Sequence, residues 1–309
     1  MTTTTSRTST STTSTPTPTA DVTESATTES ALSDAELAAA AAAKLEDLHS
    51  KANDVLEPKG DKIVLLTASD GKGHNSEIKN LFDMVMQNRA EYCAYHGYTY
   101  QFTNISDFKI PGRPVVWAKL PSIQNAFDVN PNAEWVWWLD TDAIIMTPEL
   151  DLASQLLDRN VMLSRFAYGE QIRFPNGQFT GLKVPDVINP DDIDIIISQD
   201  YHGVNAGSIF FRRSAWTVEF LKQWLDPVHM DRNYERLEQD ALSNIIIGQE
   251  DVRKHIGFVP QRLINAYATG GDGGFMRGDL VVHFAGCWVD KKCDRVWTEF
   301  WNRKQEIPA

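Results

Sequence analysis

Residues 135–142, Trp-Val-Trp-Trp-Leu-Asp-Thr-Asp, decide the fold class of this chain. Five consecutive apolar residues are typical of a strand buried on both faces, as in a parallel sheet. In extended backbone, residues i and i+2 point to the same side, so the carboxylates of Asp140 and Asp142 converge where this strand ends. The apolar segment 143–146 follows at once, and carboxylates fixed between apolar segments are costly unless they are paired or metal-bound. The motif therefore predicts a site for Mg²⁺ or Mn²⁺.

Strands and helices alternate on both sides of this motif. Short apolar or alternating runs predict further strands at Ile63–Thr67, Tyr98–Thr103, Val161–Phe166, Ile195–Ser198, Ser208–Phe211, Ile256–Val259 and Leu280–His283. Apolar residues at helical spacing predict helices at 78–96, Trp117–Phe127, Ala215–Leu225 and Glu235–Ile247. The alternation predicts an α/β, Rossmann-like fold, in which helices cover both faces of a mostly parallel sheet and ligands bind at the strands' carboxyl ends.

Composition divides the chain into three segments. Residues 1–32 are a Ser/Thr-rich tract with two prolines, which we expect to be disordered because it has little apolar surface to bury. Residues 33–60 begin like a capping box and continue through an alanine run, which predicts a helical stem or linker. Residues 61–309 form the predicted globular domain.

The charge balance limits the classes of partner. The chain has 309 residues, with 29 Lys and Arg against 42 Asp and Glu, so the formal net charge is −13. An acidic surface argues against non-specific nucleic-acid binding, which needs cations to displace phosphate counterions. We also expect no signal peptide and no membrane span, since no apolar stretch approaches about 20 residues.

The three cysteines are too few for a disulfide framework. Cys93 lies within a helical pattern and is predicted to be a small core residue. Cys287 and Cys293 are close enough to close a small loop, and an oxidising compartment would favour that bond. The sequence leaves open whether it forms.

Four other segments contain polar residues that must be assigned either to function or to ordinary structure. His283 lies in an apolar strand, where a lone histidine is more often a core residue; if the strand ends beside Asp142, its imidazole completes an O,O,N metal site. Asn205-Ala206-Gly207 suits sugar hydroxyls but is equally an ordinary turn before a strand. Glu238-Gln239-Asp240 opens a helix, where acidic residues are expected anyway. The second D-x-D motif, Asp192-Ile193-Asp194, is interpreted as a solvated loop.

Seven segments together resemble glycosyltransferase family 34, which contains fungal α-1,2-galactosyltransferases and α-1,6-mannosyltransferases and is related to plant xyloglucan xylosyltransferases. These are Asn88-Arg89 with Tyr92-Cys93 and His96-Gly97-Tyr98, Trp117–Pro121, Glu134–Ala143, Asn205–Ser208, Glu238–Asp240, Gln261–Tyr267 and His283–Trp288. They occur in order between about residue 62 and residue 301, and residues 1–60 lie outside the resemblance.

The resemblance implies a GT-A fold, a nucleotide-sugar donor, Mn²⁺ or Mg²⁺, and transfer that retains the anomeric configuration. It implies metal binding by Asp140, Asp142 and His283, and catalysis by Glu238, Gln239 and Asp240. It implies donor binding by Thr67, Ala68, Ser69, Asp70, Lys119, Asp140, Thr141, Asn205, Ala206, Gly207, Gly286 and Lys291. Plant relatives carry a lysine after the Gly-Cys pair, where this chain has Trp288, and either Lys291 or Lys292 is expected to replace it.

The sequence does not determine the donor sugar or the linkage. We lean to mannose from GDP-mannose in α-1,6 linkage, with α-1,2 transfer from UDP-galactose as the alternative. Because Gln239 is a poor nucleophile, we favour direct attack by the acceptor on the same face of the donor sugar from which the leaving group departs. The competing functions are a metal-dependent hydrolase and a non-catalytic carbohydrate-binding protein. The resemblance also implies a glycan acceptor, the Golgi lumen, a membrane anchor absent from this chain, and membership in a glycosyltransferase complex.

Overall fold

The structure is a computed structural model that describes residues 58–71 and 77–308. The Ser/Thr-rich tract at 1–32 lies outside the described residues, and so does almost all of the predicted stem at 33–60. The proposed division into tract, stem and globular domain therefore stays a prediction. Among the described residues, no helix combines the length and the apolar character needed to cross a bilayer.

The described residues contain eleven strands in three sheets. The strands are β1 (Ile63–Ser69), β2 (Thr99–Asn104), β3 (Trp135–Leu139), β4 (Ala143–Ile145), β5 (Gln171–Arg173), β6 (Phe179–Lys183), β7 (Ile195–Asp200), β8 (Gly203–Arg212), β9 (Ile256–Val259), β10 (Ala266–Tyr267) and β11 (Val281–His283). The central sheet has the order β2-β1-β3-β8-β7-β9, and β8 alone among its strands runs opposite to the others. The prediction of a mostly parallel sheet is confirmed.

Helices connect these strands along the chain. They are α1 (Leu81–His96), α2 (Lys119–Val129), α3 (Arg159–Arg165), α4 (Ala215–Trp224), α5 (Pro227–Met230), α6 (Leu237–Gly248), α7 (Glu250–Arg253), α8 (Gln261–Ile264) and α9 (Cys293–Trp301). Shorter helical turns occur at Gly60–Lys62, Ile105–Phe108, Val115–Ala118, Ala153–Leu157, Pro190–Asp192 and Cys287–Asp290. Every residue of β3 and of β7 is buried. Because successive strand residues face opposite sides, both faces of the sheet are covered, as predicted.

One predicted strand is wrong. Residues 161–166 were expected to be a strand because the run is apolar, but they lie in and just after the helix α3. The Asp158 carboxylate accepts hydrogen bonds from the backbone N–H groups of Asn160 and Val161, at 2.9 and 3.1 Å. That cap starts a helix, and Met162 and Leu163 then point into the core.

Two predicted loops also differ from the structure. Asn205, Ala206 and Gly207 lie inside β8, where the pairing with β7 shifts register after Ile197, rather than in a turn before the strand. Asp194 is buried instead of solvated, because its carboxylate accepts hydrogen bonds from Arg212 and contacts the His255 ring at 2.7 Å.

The cysteines occupy two environments. Cys93 is buried, and burial raises the pKa of its thiol to about 12, so the prediction of a small core residue is confirmed. Cys287 and Cys293 form a disulfide, which settles the question that their spacing left open.

A small sheet of order β10-β11-β4 lies next to the carboxyl end of β3. The strand β11 runs antiparallel to β4, with His283 opposite Ala143. The Phe284 N–H continues this ladder by donating to the Asp142 carbonyl at 2.8 Å. The pairing therefore brings a residue near the end of the chain beside the turn that carries both aspartates.

Candidate active site

The structure brings the three predicted metal ligands together. Asp140 and Asp142 lie in the turn between β3 and β4, and His283 ends β11. One ligand atom from each side chain lies within 4.8 Å of the other two, and His283 Nε2 is 3.4 Å from Asp142 Oδ1. Asp142 and His283 are buried, whereas Asp140 is partly exposed. The cluster is therefore open on the side of Asp140.

A chain of hydrogen bonds fixes the proton on the His283 ring. The backbone N–H of Gly207 donates to Asn205 Oδ1, which identifies that atom as the amide oxygen. Asn265 Nδ2 donates to the same oxygen at 2.8 Å, so Asn265 Oδ1 faces His283 Nδ1, at 2.8 Å. That oxygen can only accept, so Nδ1 carries the proton and Nε2 directs its lone pair toward Asp142. An imidazole held in this tautomer together with two carboxylates fits Mn²⁺ or Mg²⁺.

The electrostatics of the cluster also favour a cation. Burial is the largest single influence on the pKa of His283 and lowers it, but the Asp142 and Asp140 carboxylates together raise it more, and the net shift is upward. A positive charge at this position is therefore stabilised by the surrounding carboxylates.

Two residues of α1 hold the aspartate turn in place. The Arg89 guanidinium donates to the Thr67 hydroxyl and to the carbonyls of Asp140 and Ala143. Asn88 makes two hydrogen bonds to the backbone of Ile145, donating at 3.0 Å and accepting at 2.8 Å. Burial lowers the pKa of Arg89 to about 10, so it stays charged at neutral pH. Asn88 and Arg89 belong to the segments that resemble the family, and the sequence alone predicts no role for them.

Lys119 joins the aspartate turn to the predicted catalytic helix. Its buried Nζ lies 3.1 Å from Glu238 Oε1 and 3.5 Å from Asp140 Oδ1, and it donates to the Ala206 carbonyl at 3.0 Å. Burial lowers the pKa of Lys119, but the Asp140 and Glu238 carboxylates raise it more. Lys119 is therefore a buried cation shared between the two carboxylates.

The three predicted catalytic residues separate into two groups. Burial raises the pKa of Glu238 despite the opposing effect of Lys119, and Gln239 Oε1 accepts the Ala206 N–H at 2.9 Å. Both side chains thus face the strand that borders the metal cluster. Asp240 instead pairs with Arg236, whose Nε lies 2.9 Å from Asp240 Oδ1, so Asp240 stabilises the start of α6.

The backbone immediately before Glu238 is strained. Leu237 has a φ of 41°, a left-handed conformation that is uncommon for a leucine. Strain of this kind persists only where surrounding contacts impose it, and it tends to cluster at functional sites. Here it sets the direction in which the side chains of Glu238 and Gln239 project from the helix.

The predicted donor-binding residues occupy several positions along the same edge. Thr67, Ala68 and Ser69 end β1 and Asp70 follows it, although the Thr67 hydroxyl accepts from Arg89 and Asp70 accepts from Ser106. Thr141 is partly exposed between the two metal-binding aspartates. The amide of Asn205 is fully used within the protein, because it also donates to Asp200 and to the Tyr267 hydroxyl. Asn205 therefore holds the wall of the site.

Beside His283 lies a cavity of about 160 Å³ that Gly286, Cys287 and Lys292 also line. Its size and its position next to the metal ligands suit part of a diphosphate. Lys292, and not Lys291, is among its lining residues, while Lys291 is exposed. The assignment of Lys291 to donor binding stays a prediction.

A mostly parallel α/β sheet with an Asp-x-Asp turn at its carboxyl edge defines the GT-A class of glycosyltransferases. A solved glycosyltransferase involved in glycosylation of the major capsid of PBCV-1 has the same fold, with a TM-score of 0.52 at 13% identity over 76% of this chain and 99% of that chain. The galactosyl transferase GMA12/MNN10 family model matches residues 59–294. The chain belongs to this family of hexosyltransferases, as the motifs predicted.

Two curated relatives match most of this chain. A Schizosaccharomyces pombe protein named an uncharacterized alpha-1,2-galactosyltransferase is 38% identical over 76% of this chain and 64% of its own length. The probable alpha-1,6-mannosyltransferase MNN10 of Saccharomyces cerevisiae is 29% identical over 75% of this chain and 63% of its own length. The matched region thus spans somewhat less than two thirds of each relative.

Replacing Gly207 should disrupt the metal cluster, because Gly207 lies directly against the His283 ring. In Gly207→Ala the new Cβ would lie 2.3 Å from His283 Cε1 and 2.9 Å from Nδ1, so the ring must move from its present position. We expect Mn²⁺ affinity, measured by calorimetry, to fall about 10- to 100-fold. Gly248→Ala, where the added Cβ meets no atom within 4 Å, is the matched control and should bind Mn²⁺ normally. A folded Gly207→Ala protein with unchanged Mn²⁺ affinity would contradict the assignment.

Proposed function

We propose that this chain transfers a hexose from a nucleotide-sugar to a glycan acceptor with retention of configuration, and that Asp140, Asp142 and His283 hold a divalent cation. The observation that carries the proposal is the convergence of those three side chains with the buried Lys119–Glu238 pair at the carboxyl edge of the sheet. When bound there, Mn²⁺ or Mg²⁺ would act as a Lewis acid toward the departing diphosphate.

The charged side chains suggest how the sugar is activated. As the bond from the anomeric carbon to the phosphate oxygen breaks, the sugar gains positive charge. Glu238 is a fixed negative group at this edge of the sheet, and Lys119 orients it through the 3.1 Å contact. Gln239 is held in turn by the Ala206 N–H. Both side chains are thus positioned before the substrate arrives and need no reorganisation during the reaction.

We propose attack on the same face of the sugar that the diphosphate leaves. The acceptor hydroxyl oxygen forms the new bond to the anomeric carbon, and its proton passes to the leaving phosphate oxygen. Two observations support this route over a covalent intermediate. Glu238 is engaged by a buried lysine, which lowers its nucleophilicity, and an amide such as Gln239 is a poor nucleophile.

We propose galactose, carried by UDP, as the transferred sugar, with an α-1,2 linkage. The support is that the relative with 38% identity is named an α-1,2-galactosyltransferase, whereas the mannosyltransferase relative has 29% identity. This choice reverses the lean toward GDP-mannose from the sequence alone. GDP-mannose stays the second candidate because of that mannosyltransferase relative.

We also propose that the chain works in an oxidising compartment such as the Golgi lumen. The Cys287–Cys293 disulfide supports this location, because such bonds persist mainly outside the cytosol. Membership in a multi-subunit glycosyltransferase complex stays a prediction from the family resemblance.

Nucleotide binding tests the metal site and the donor together. We expect titration calorimetry to give tight binding of UDP with Mn²⁺ and weak binding without it, and GDP to bind poorly in both conditions. Asp142→Asn removes one ligand charge and should weaken UDP binding in Mn²⁺ about 100-fold. Asp192→Asn is the matched control, because Asp192 is the exposed first aspartate of the second D-x-D motif.

Each result of this titration has a defined meaning. Mn²⁺-dependent binding of GDP instead of UDP would select mannose as the donor sugar. In a separate assay with the nucleotide-sugar and no acceptor, release of free sugar as the main product would select the hydrolase. Binding of neither nucleotide by the wild-type chain would contradict the enzyme assignment altogether and leave the carbohydrate-binding alternative.

The role of Glu238 can be tested with azide. We expect Glu238→Ala to lower kcat about 10²- to 10³-fold, because it removes the negative group beside the reacting sugar. Added azide should produce no glycosyl azide of inverted configuration, as judged by NMR of the products. Formation of that azide would identify Glu238 as a covalent nucleophile. Glu235→Ala, which removes an exposed carboxylate just before α6, serves as the control.

A further inference from the structure

A large polar cavity opens beside the metal cluster, at the ends of β7 and β9. Its volume is about 700 Å³, which lies within the ~300–1,000 Å³ range of ligand sites. Its walls come from the end of β7 (199–201), from Glu170 and Arg173 of the β5–β6 hairpin, from residues 260–262 after β9, and from Tyr267 with the glycine loop 270–273. None of the residues assigned so far to donor, metal or catalysis lines it.

The order of the strands places this cavity and the predicted nucleotide loop on opposite sides of the metal cluster. Along the carboxyl edge of the sheet, β1 carries the predicted nucleotide loop and β3 carries the metal-binding aspartates, while β7 and β9 end at the cavity. The metal cluster therefore lies between the nucleotide loop and the cavity. A second substrate that occupies the cavity would approach the reacting centre from the side that the nucleotide leaves free.

Tyr267 lines the cavity and also contacts the metal cluster. Its ring lies edge-on to the His283 ring, with centroids 5.8 Å apart, and it lines the cavity with Asp200. The Tyr267 hydroxyl donates to Asp200 and accepts from Asn205 Nδ2 at 2.7 Å. A ligand that touches Tyr267 is thus one side chain away from a metal ligand.

The wall carries charged side chains of both signs, three acidic and two basic. Arg262 forms a two-point ion pair with Asp279, at 2.8 and 3.0 Å. Glu170 accepts from Gln199 Nε2 at 2.8 Å, and the Arg173 guanidinium lies 4.3 Å from the centroid of the Phe179 ring. A surface that mixes charges of both signs with amides and hydroxyls attracts neither anions nor cations strongly. It suits a neutral ligand that is rich in hydroxyl groups.

One exposed aromatic ring lines the cavity, and a second lies on the hairpin that forms part of its wall. Tyr201 is 73% exposed although it lines the cavity, and Phe179 on the neighbouring hairpin is 54% exposed. Large aromatic side chains at wet binding sites combine an apolar face with polar edges. Such rings stack on the apolar face of a pyranose, so they complement the polar interior.

We infer that this cavity is the acceptor subsite, that it binds a neutral hexose oligosaccharide, and that Tyr201 is its stacking platform. The inference rests on the proposed function, because an acceptor is meaningful only for a transferase. It assigns to Tyr201 and the glycine loop a role in acceptor recognition that is independent of the donor, whereas the Gln199 amide is used within the protein and holds the wall.

The test compares acceptor and donor kinetics in two variants. Tyr201→Ala removes the exposed ring. Gly270→Leu adds a side chain at a position where a Cβ meets no atom within 4 Å, and so obstructs the cavity without a backbone clash. Tyr95→Ala, which removes a 45% exposed tyrosine outside the cavity, is the matched control. The probes are α-mannobiose and β-1,4-mannobiose, with UDP-galactose and GDP-mannose as donors.

We expect Tyr201→Ala to raise the acceptor KM about tenfold and to leave the donor KM unchanged. Gly270→Leu should abolish transfer while Mn²⁺-dependent nucleotide binding persists, and the control should match the wild type. Saturation-transfer NMR without donor or metal should detect a mannobiose on the wild type and lose that signal in Gly270→Leu.

Three results would overturn the inference: an unchanged acceptor KM in both cavity variants, a raised donor KM, or no NMR signal for either disaccharide on the wild type. A wild-type chain that binds a mannobiose in this cavity but binds no nucleotide would contradict the transferase and still support the carbohydrate site. The two failures are thus distinguishable.

Discussion

The antiparallel pairing of β4 with β11 is the constraint on which the site depends. It sets His283 opposite Ala143 and extends to a hydrogen bond between Phe284 and the Asp142 carbonyl. Without this pairing, the two aspartates would be an acidic turn with no third ligand. The buried Arg89 and Asn88 hold the other side of the same turn. The geometry of the cluster is therefore fixed by backbone contacts on both sides.

Several charges are buried around this turn, and each has a partner. Lys119 is shared by Asp140 and Glu238, while Arg89 donates to backbone carbonyls and to the Thr67 hydroxyl. Removing one member of such a set leaves another charge uncompensated in a low-dielectric interior, which is strongly destabilising. The arrangement thus favours a single conformation of the site, with the side of Asp140 left open for a ligand.

Local patterns in the sequence were enough to predict the central strand, the aspartate pair and most of the alternating elements. The Trp135–Leu139 run and the periodicity of α1 depend on near neighbours alone. The strand predicted at 161–166 failed because a single capping residue, Asp158, outweighed the apolar run that follows it. Local apolarity cannot distinguish a short buried helix from a strand.

Features that depend on contacts between distant parts of the chain could not be predicted from the sequence. Whether His283 is a ligand or a core residue depends on a strand pairing across about 140 positions, which no local pattern reveals. The fully bonded amide of Asn205 and the buried Asp194 depend in the same way on distant partners. The polar cavity is assembled from four separate segments, and although the family pattern includes Gln261–Tyr267, nothing local to it shows that these segments meet.

Pulsed electron paramagnetic resonance of bound Mn²⁺ tests the central claim most directly. Coordination by His283 Nε2 predicts nitrogen modulation from one imidazole in the wild-type spectrum, and loss of that modulation in His283→Ala. Mn²⁺ bound to the wild-type chain with no nitrogen coupling would contradict the account, because the three side chains would then not share one ion.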